Sequence, residues 1–167
     1  MNTRAMILSI ATALLVSACG DDGSPTSSSP PPPPPPVTSV VLDTGGLLRT
    51  GFAAFIRFQT NARGGLETNV DWTHRNNTVF IWLAKGNCRP RQFFDGECDL
   101  RITSTPLNEV NKPRRLTLPN ADSGQYTLIV FNRGPKDDTF TVEVFLTTTS
   151  GASAVTLIES EFAAMQP

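Results

Sequence analysis

The chain has 167 residues, 39% of them hydrophobic and 17% charged, with a formal net charge of −1. A near-neutral balance without a basic run gives no footing for nucleic acid or for an electrostatic grip on a membrane surface. The length suits one globular domain, and three cysteines with a single histidine leave few groups for metal or nucleophilic chemistry.

The opening residues read as an export leader rather than as part of a fold. Residues 1–4 carry one positive charge and residues 6–16 form an apolar run, which is the length of a signal-peptide core. A bilayer-spanning helix needs about 20 apolar residues, so this run is too short to cross. Val16-Ser17-Ala18-Cys19 resembles the bacterial lipobox, and the polar stretch Gly20-Asp21-Asp22-Gly23 follows at once. The resemblance implies cleavage after residue 18, diacylglycerol on the Cys19 thiol and an acyl chain such as palmitate on the new amino group. One acyl chain binds membranes only marginally, so multiple acylation is what makes such an anchor stable. Gly20, where the enterobacterial inner-membrane retention signal has Asp, points to the outer membrane. The first expected partner is therefore the membrane itself, reached through lipid.

Residues 19–36 form a linker. After Cys19 it contains only Gly, Asp, Ser, Thr and Pro, and it ends in seven consecutive prolines, residues 30–36. Such a run has no backbone donors and adopts polyproline II. At about 3.1 Å per residue it makes a stiff spacer of roughly 20 Å.

From residue 37 the pattern changes to short apolar alternations. Phe52, Ala54, Ile56 and Phe58 alternate with Ala53, Phe55 and Arg57. Leu66, Thr68, Val70 and Trp72 alternate with Glu67, Asn69, Asp71 and Thr73, a half-buried strand. Thr78 to Ala84 reads as an apolar strand covered on both faces. Leu100 with Ile102, Leu116 with Leu118, Tyr126 with Leu128 and Val130, and Phe140 to Leu146 mark four more strands. With residues 37–42 that makes about eight strands at sandwich spacing and no helical window among them. The expectation is an all-β protein, an antiparallel β-sandwich of jelly-roll-like or immunoglobulin-like form over residues 37–149. Residues 150–167 read two ways. Val155, Ile158, Phe162 and Met165 have helical spacing, with Thr156 and Glu159 suited to a capping box, while Val155 and Leu157 also suit an edge strand.

If Cys19 is lipidated, Cys88 and Cys98 remain in an oxidising compartment, and an even remainder reads as a disulfide. It would close the loop Arg89-Pro90-Arg91-Gln92-Phe93-Phe94-Asp95-Gly96-Glu97, worth roughly 2–3 kcal/mol by loop entropy.

Two family resemblances follow from the strand motifs. Gly65-Leu66 to Trp72-Thr73, Asn76-Asn77 through Leu83, Gly124-Gln125-Tyr126 and the Asn132-Arg133-Gly134 turn before residues 139–146 are similar to the bacterial pre-peptidase C-terminal domain. That resemblance implies a small jelly-roll-like module of secreted proteases and lipoproteins. The family's middle-strand aspartates are absent, since Thr78 and Phe80 stand there, so a calcium role carried by them is not implied. Asp122-Ser123-Gly124-Gln125-Tyr126 is similar to the tyrosine corner of immunoglobulin domains, although Leu128 replaces the cysteine expected two residues on. Either resemblance informs fold more than function.

Little in the sequence points to catalysis, and the chain is expected not to be an enzyme. His74 lies in a polar turn, and no Gly-x-Ser-x-Gly elbow accompanies it. Asp95, Glu97 and Asp99 alternate and are weak candidates for calcium through oxygen ligands; no metal or cofactor is otherwise expected. Trp72 and Trp82 are a candidate sugar-stacking pair, against core positions within their strands. Arg89, Arg91, Phe93 and Phe94 give the disulfide loop the composition of an interface hot spot. The expected function is display of a non-catalytic sandwich that binds a protein or glycan partner. The alternatives are a structural envelope lipoprotein without a ligand, or an accessory domain that recruits a secreted protease.

Overall fold

The computed structural model describes residues 30–103, 112–149 and 155–165. The expected leader, Cys19 and the part of the expected linker before residue 30 lie outside them. The chain separates into two units, Met1–Pro32 and Pro33–Pro167. Only residues 30–32 of the first are described, and Pro30 to Pro36 are exposed and outside any strand or helix.

The elements run β1 (Val37–Leu48), β2 (Phe52–Thr60), β3 (Gly64–Trp72), β4 (Val79–Lys85), α1 (Pro90–Phe94), β5 (Asp99–Thr103), β6 (Arg114–Ala121), β7 (Gly124–Asn132), β8 (Asp138–Thr148) and β9 (Val155–Ala164). They form two antiparallel sheets, one ordered β1-β8-β3-β6 and the other β5-β4-β7-β2-β9. The interleaving of β1 to β8 is the double Greek key of a jelly roll. An immunoglobulin sandwich would place consecutive strands β1 and β2 side by side in one sheet; here they lie in different sheets.

Strand periodicity explains the core. Leu66, Val70 and Trp72 of β3, Val142, Val144 and Leu146 of β8 and Leu116 of β6 point inward from the four-stranded sheet. Ala54, Ile56 and Phe58 of β2, Ile81 and Leu83 of β4, and Leu128 and Val130 of β7 meet them from the other. Successive strand residues face opposite sides, so each strand gives its alternate positions to this layer.

One open alternative closes, and one expectation changes. The tail is a strand, not a helix: β9 pairs with β2 from Phe52↔Ala164 to Thr60↔Val155, with a register break between Arg57 and Phe58. The sandwich therefore extends past residue 149. Its helix-like spacing loses to the open edge of β2, which offers a full backbone ladder. The expectation that changes concerns α1, a single helical turn inside the disulfide loop where no helix was expected. Pro90 occupies its first position, the Gln92 side chain accepts from the Arg89 amide at 3.0 Å, and Gly96 with φ 73° ends it. Those are ordinary start and stop signals, hidden from a search for long helical windows.

Candidate functional site: an aromatic outer face

The two sheets differ in their outer faces. That of the four-stranded sheet is mostly polar, except at Val40, Leu47 and Phe145, with Glu67 facing Arg115 at 3.7 Å, Asn69 donating to Glu143 at 3.3 Å, and the Thr38 and Thr147 hydroxyls 2.8 Å apart. The five-stranded sheet is apolar on both sides. Its apolar outer positions are Ala53 and Phe55 of β2, Phe80, Trp82 and Ala84 of β4, and Ile129 and Phe131 of β7, with the polar Arg57 and Thr127 at one end of the same face. This is why residues 52–56 and 79–84 read as continuous apolar runs: neither face of these strands meets water freely.

The disulfide loop lies against this face. Cys88 and Cys98 are bonded, with α-carbons 5.5 Å apart, inside the range a disulfide allows. Cys88 is buried, and its amide donates to the Thr127 hydroxyl at 3.0 Å. Phe93 is the loop's inward anchor, edge-on to Trp82 at 5.2 Å and to Phe55 at 5.9 Å. Phe94 sits edge-on to Phe93 at 6.0 Å and is 48% exposed. From Trp82 the aromatic row continues by stacking to Phe80 at 5.9 Å, and from Phe80 to Phe131 at 6.3 Å. Such pairs contribute about 0.5–1.5 kcal/mol beyond area burial, so the row is a fixed surface rather than a loose one. Arg89 and Arg91 are exposed beside it, and Arg91 lies 3.6 Å from Asp95.

The residues singled out in the sequence thus divide. Trp82, Phe93, Phe94, Arg89 and Arg91 come together; Trp72 does not. It is buried in the inter-sheet core, with the Lys112 ammonium 5.9 Å from its ring, so the two tryptophans form no common platform. The acidic trio is not brought together either. Asp95 caps α1 near Arg91, and Asp99 pairs with Arg101 at 2.6 Å. Among the described residues no group of three His, Cys, Asp or Glu side chains is placed to hold a metal. His74 is exposed, and the buried carboxylate of Asp138 meets its backbone amide at 3.1 Å, not its ring.

Sequence reasoning missed Phe55, Phe80 and Phe131 as parts of this surface. The available signal was that three stretches were apolar at both alternate positions, which demands cover on both faces.

In class, the described domain is a jelly-roll β-sandwich with one apolar outer face. No protein-family model matches the sequence, and no curated protein matches it. Among solved structures, the crystal structure of Yersinia pseudotuberculosis-derived mitogen (YPM) is similar, at 12% identity and a TM-score of 0.43, covering 72% of this chain and 99% of that one. Among the described residues no helix is long and apolar enough to cross a membrane.

Proposed function

We propose that the chain is a lipid-anchored extracytoplasmic protein whose non-catalytic sandwich binds a partner protein through the aromatic face around α1. The observation that supports this reading is the continuity of that face with the disulfide-clamped turn, which ends on an exposed Phe94 beside two exposed arginines. Aromatic anchors with an arginine rim are where interfaces concentrate their energy. A glycan platform would instead present a tryptophan face ringed by polar side chains, whereas Trp82 is half-buried among phenylalanines. The lipobox-like Val16-Ser17-Ala18-Cys19 supports the anchor, Gly20 the outer-membrane address, and the proline run a spacer that lifts the domain from the lipid. The strand motifs similar to the pre-peptidase C-terminal domain fit the same picture, as a module that accompanies secreted enzymes.

The test is a photo-crosslinking side chain at position 94 in living cells, with Thr117 on the outer face of β6 as the control position. A discrete adduct from position 94 alone is expected. No adduct at 94, or the same pattern from both positions, would remove the reading. The anchor has its own test, since Cys19→Ser should abolish incorporation of a labelled fatty acid.

A further inference from the structure

Strand β9 stands outside the jelly roll that β1 to β8 complete by themselves. It is bound along one edge only, by the ladder to β2. Of its described side chains, Glu159, Ser160, Glu161, Phe162 and Ala164 are all exposed. Besides the ladder, Ala163 and Met165 pack on the outer apolar cluster, the Met165 amide donates to the Gly51 carbonyl at 2.7 Å, and Arg57 of β2, itself 3% exposed, bonds the Glu159 carboxylate and, at 2.6 Å, that of Glu161. The two carboxylates are 60% and 45% exposed. Strand β2 could not serve as a bare edge. Ala53 to Phe58 are buried without a break, with no proline and no outward charge except Arg57. Natural edge strands carry charges, prolines or bulges against unwanted pairing; β2 relies on β9 instead.

We infer that the β2 edge is a strand-acceptor site which reads an extended Glu-x-Glu segment through Arg57, and that two copies of this chain join by exchanging β9 across it. The sequence itself supplies the occupant, because any second copy carries the same strand with the same two carboxylates. Exchange remakes every β2–β9 hydrogen bond and both ion pairs, so it costs little at equilibrium. Weakening the ion pairs leaves that equilibrium nearly unchanged, because the pairs are lost equally from the closed and exchanged forms, but it makes opening faster.

The register supplies the test. Ala53 and Ala163 are directly paired on the outer face. Full-length Ala53→Cys and Ala163→Cys variants are mixed at high concentration, oxidised, and searched by mass spectrometry for a 53–163 disulfide between chains. The double variant in one chain is the control, and Phe52→Cys with Ala164→Cys, paired at the ladder's end, repeats the test if the first variants fold poorly. An interchain 53–163 (or 52–164) link that accumulates with concentration supports exchange. Its absence while the double variant closes within one chain overturns it, and so does failure of both double variants to close, since the pairing itself would then be wrong. Glu159→Gln with Glu161→Gln should speed interchain linkage several-fold; an unchanged rate overturns the role given to Arg57.

Discussion

Tyr126 reaches back four residues in its own chain, its hydroxyl donating to the Asp122 carbonyl at 2.8 Å. The ring is buried and stacked on Phe58 at 5.9 Å, and the Lys85 ammonium lies 4.7 Å from its centre. The hydroxyl thus ties the turn before β7 to a core strand. Tyr126→Phe keeps the ring and removes only that tie, leaving the carbonyl and the ammonium without their shared oxygen. A loss of about 1–1.5 kcal/mol is expected, read as a lower urea midpoint with unchanged slope. A loss below the error of the measurement would mean that the corner is incidental to stability.

The disulfide predicts a local rather than a global effect. α1 is one turn of helix with no buried residue, too short to persist by itself. Its ties to the sheet are the Cys88–Cys98 bond, the Cys88 amide on Thr127 and the rings around Phe93. Cys88→Ser with Cys98→Ser should cost roughly 2–3 kcal/mol and leave far-ultraviolet circular dichroism of the sandwich intact. Tryptophan emission should shift to longer wavelength as Trp82 loses Phe93, while Trp72 stays in the core. Unchanged emission would show that the loop holds its place without the bond.

The sequence made the sandwich legible because apolar alternation is a direct image of strand geometry. Leu66, Val70 and Trp72 declared β3, and Phe140, Val142, Val144 and Leu146 declared β8. The pairing of Cys88 with Cys98 was legible from cysteine count together with an expected oxidising compartment, and Asp122-Ser123-Gly124-Gln125-Tyr126 carried its corner on its face. What stayed hidden was non-local. The same residues 155–165 satisfy a helical and an extended pattern, and only the vacant edge of β2, set by which strands become neighbours, chooses between them. The aromatic face has the same cause. That Phe80, Trp82 and Phe131 share a surface with Phe93 depends on strand order, which no local period encodes.

A second non-local device sits at one end of the sandwich. Buried Asp138 accepts from the Thr73 amide at 2.7 Å, the His74 amide at 3.1 Å and the Asn77 side chain at 2.6 Å. Asn77 also donates to the Lys136 carbonyl at 2.8 Å, as does Asn132 at 2.8 Å. The turns after β3 and after β7 are therefore knotted together by three buried polar side chains. Asp138→Ala takes the acceptor from the His74 amide and one of two acceptors from the Thr73 amide and the Asn77 side chain, and should cost roughly 2 kcal/mol, with hydrogen exchange accelerated at Thr73, His74 and Asn77. Gly134, packed directly on Asn77, should tolerate Ala as poorly. A mild effect from both substitutions would show that water satisfies these donors.

Arg57 gives the least symmetrical prediction. Its guanidinium is buried while both its acidic partners reach solvent, so the two ways of breaking the pairs are unequal. Replacing the arginine by Leu frees Glu159 and Glu161 into water, where hydration compensates them, and puts an apolar side chain next to Phe55 along β2 and across from Thr127 of β7. Exchanging a buried ion-paired group for a well-packed hydrophobe is often neutral or stabilising, so Arg57→Leu should change stability by less than about 1 kcal/mol. Removing the acids strands a buried cation. Glu159→Ala with Glu161→Ala should cost roughly 2–3 kcal/mol, below the 3–5 typical of fully buried pairs because these carboxylates are partly hydrated. The triple variant, with Leu at 57 and Ala at 159 and 161, should then recover most of that loss, since no charge remains to strand. Urea unfolding of the four proteins measures the coupling directly. If the arginine and glutamate variants lose equal stability, the ion pairs act as ordinary surface contacts and β9 is held by its backbone ladder and the packing of Ala163 and Met165.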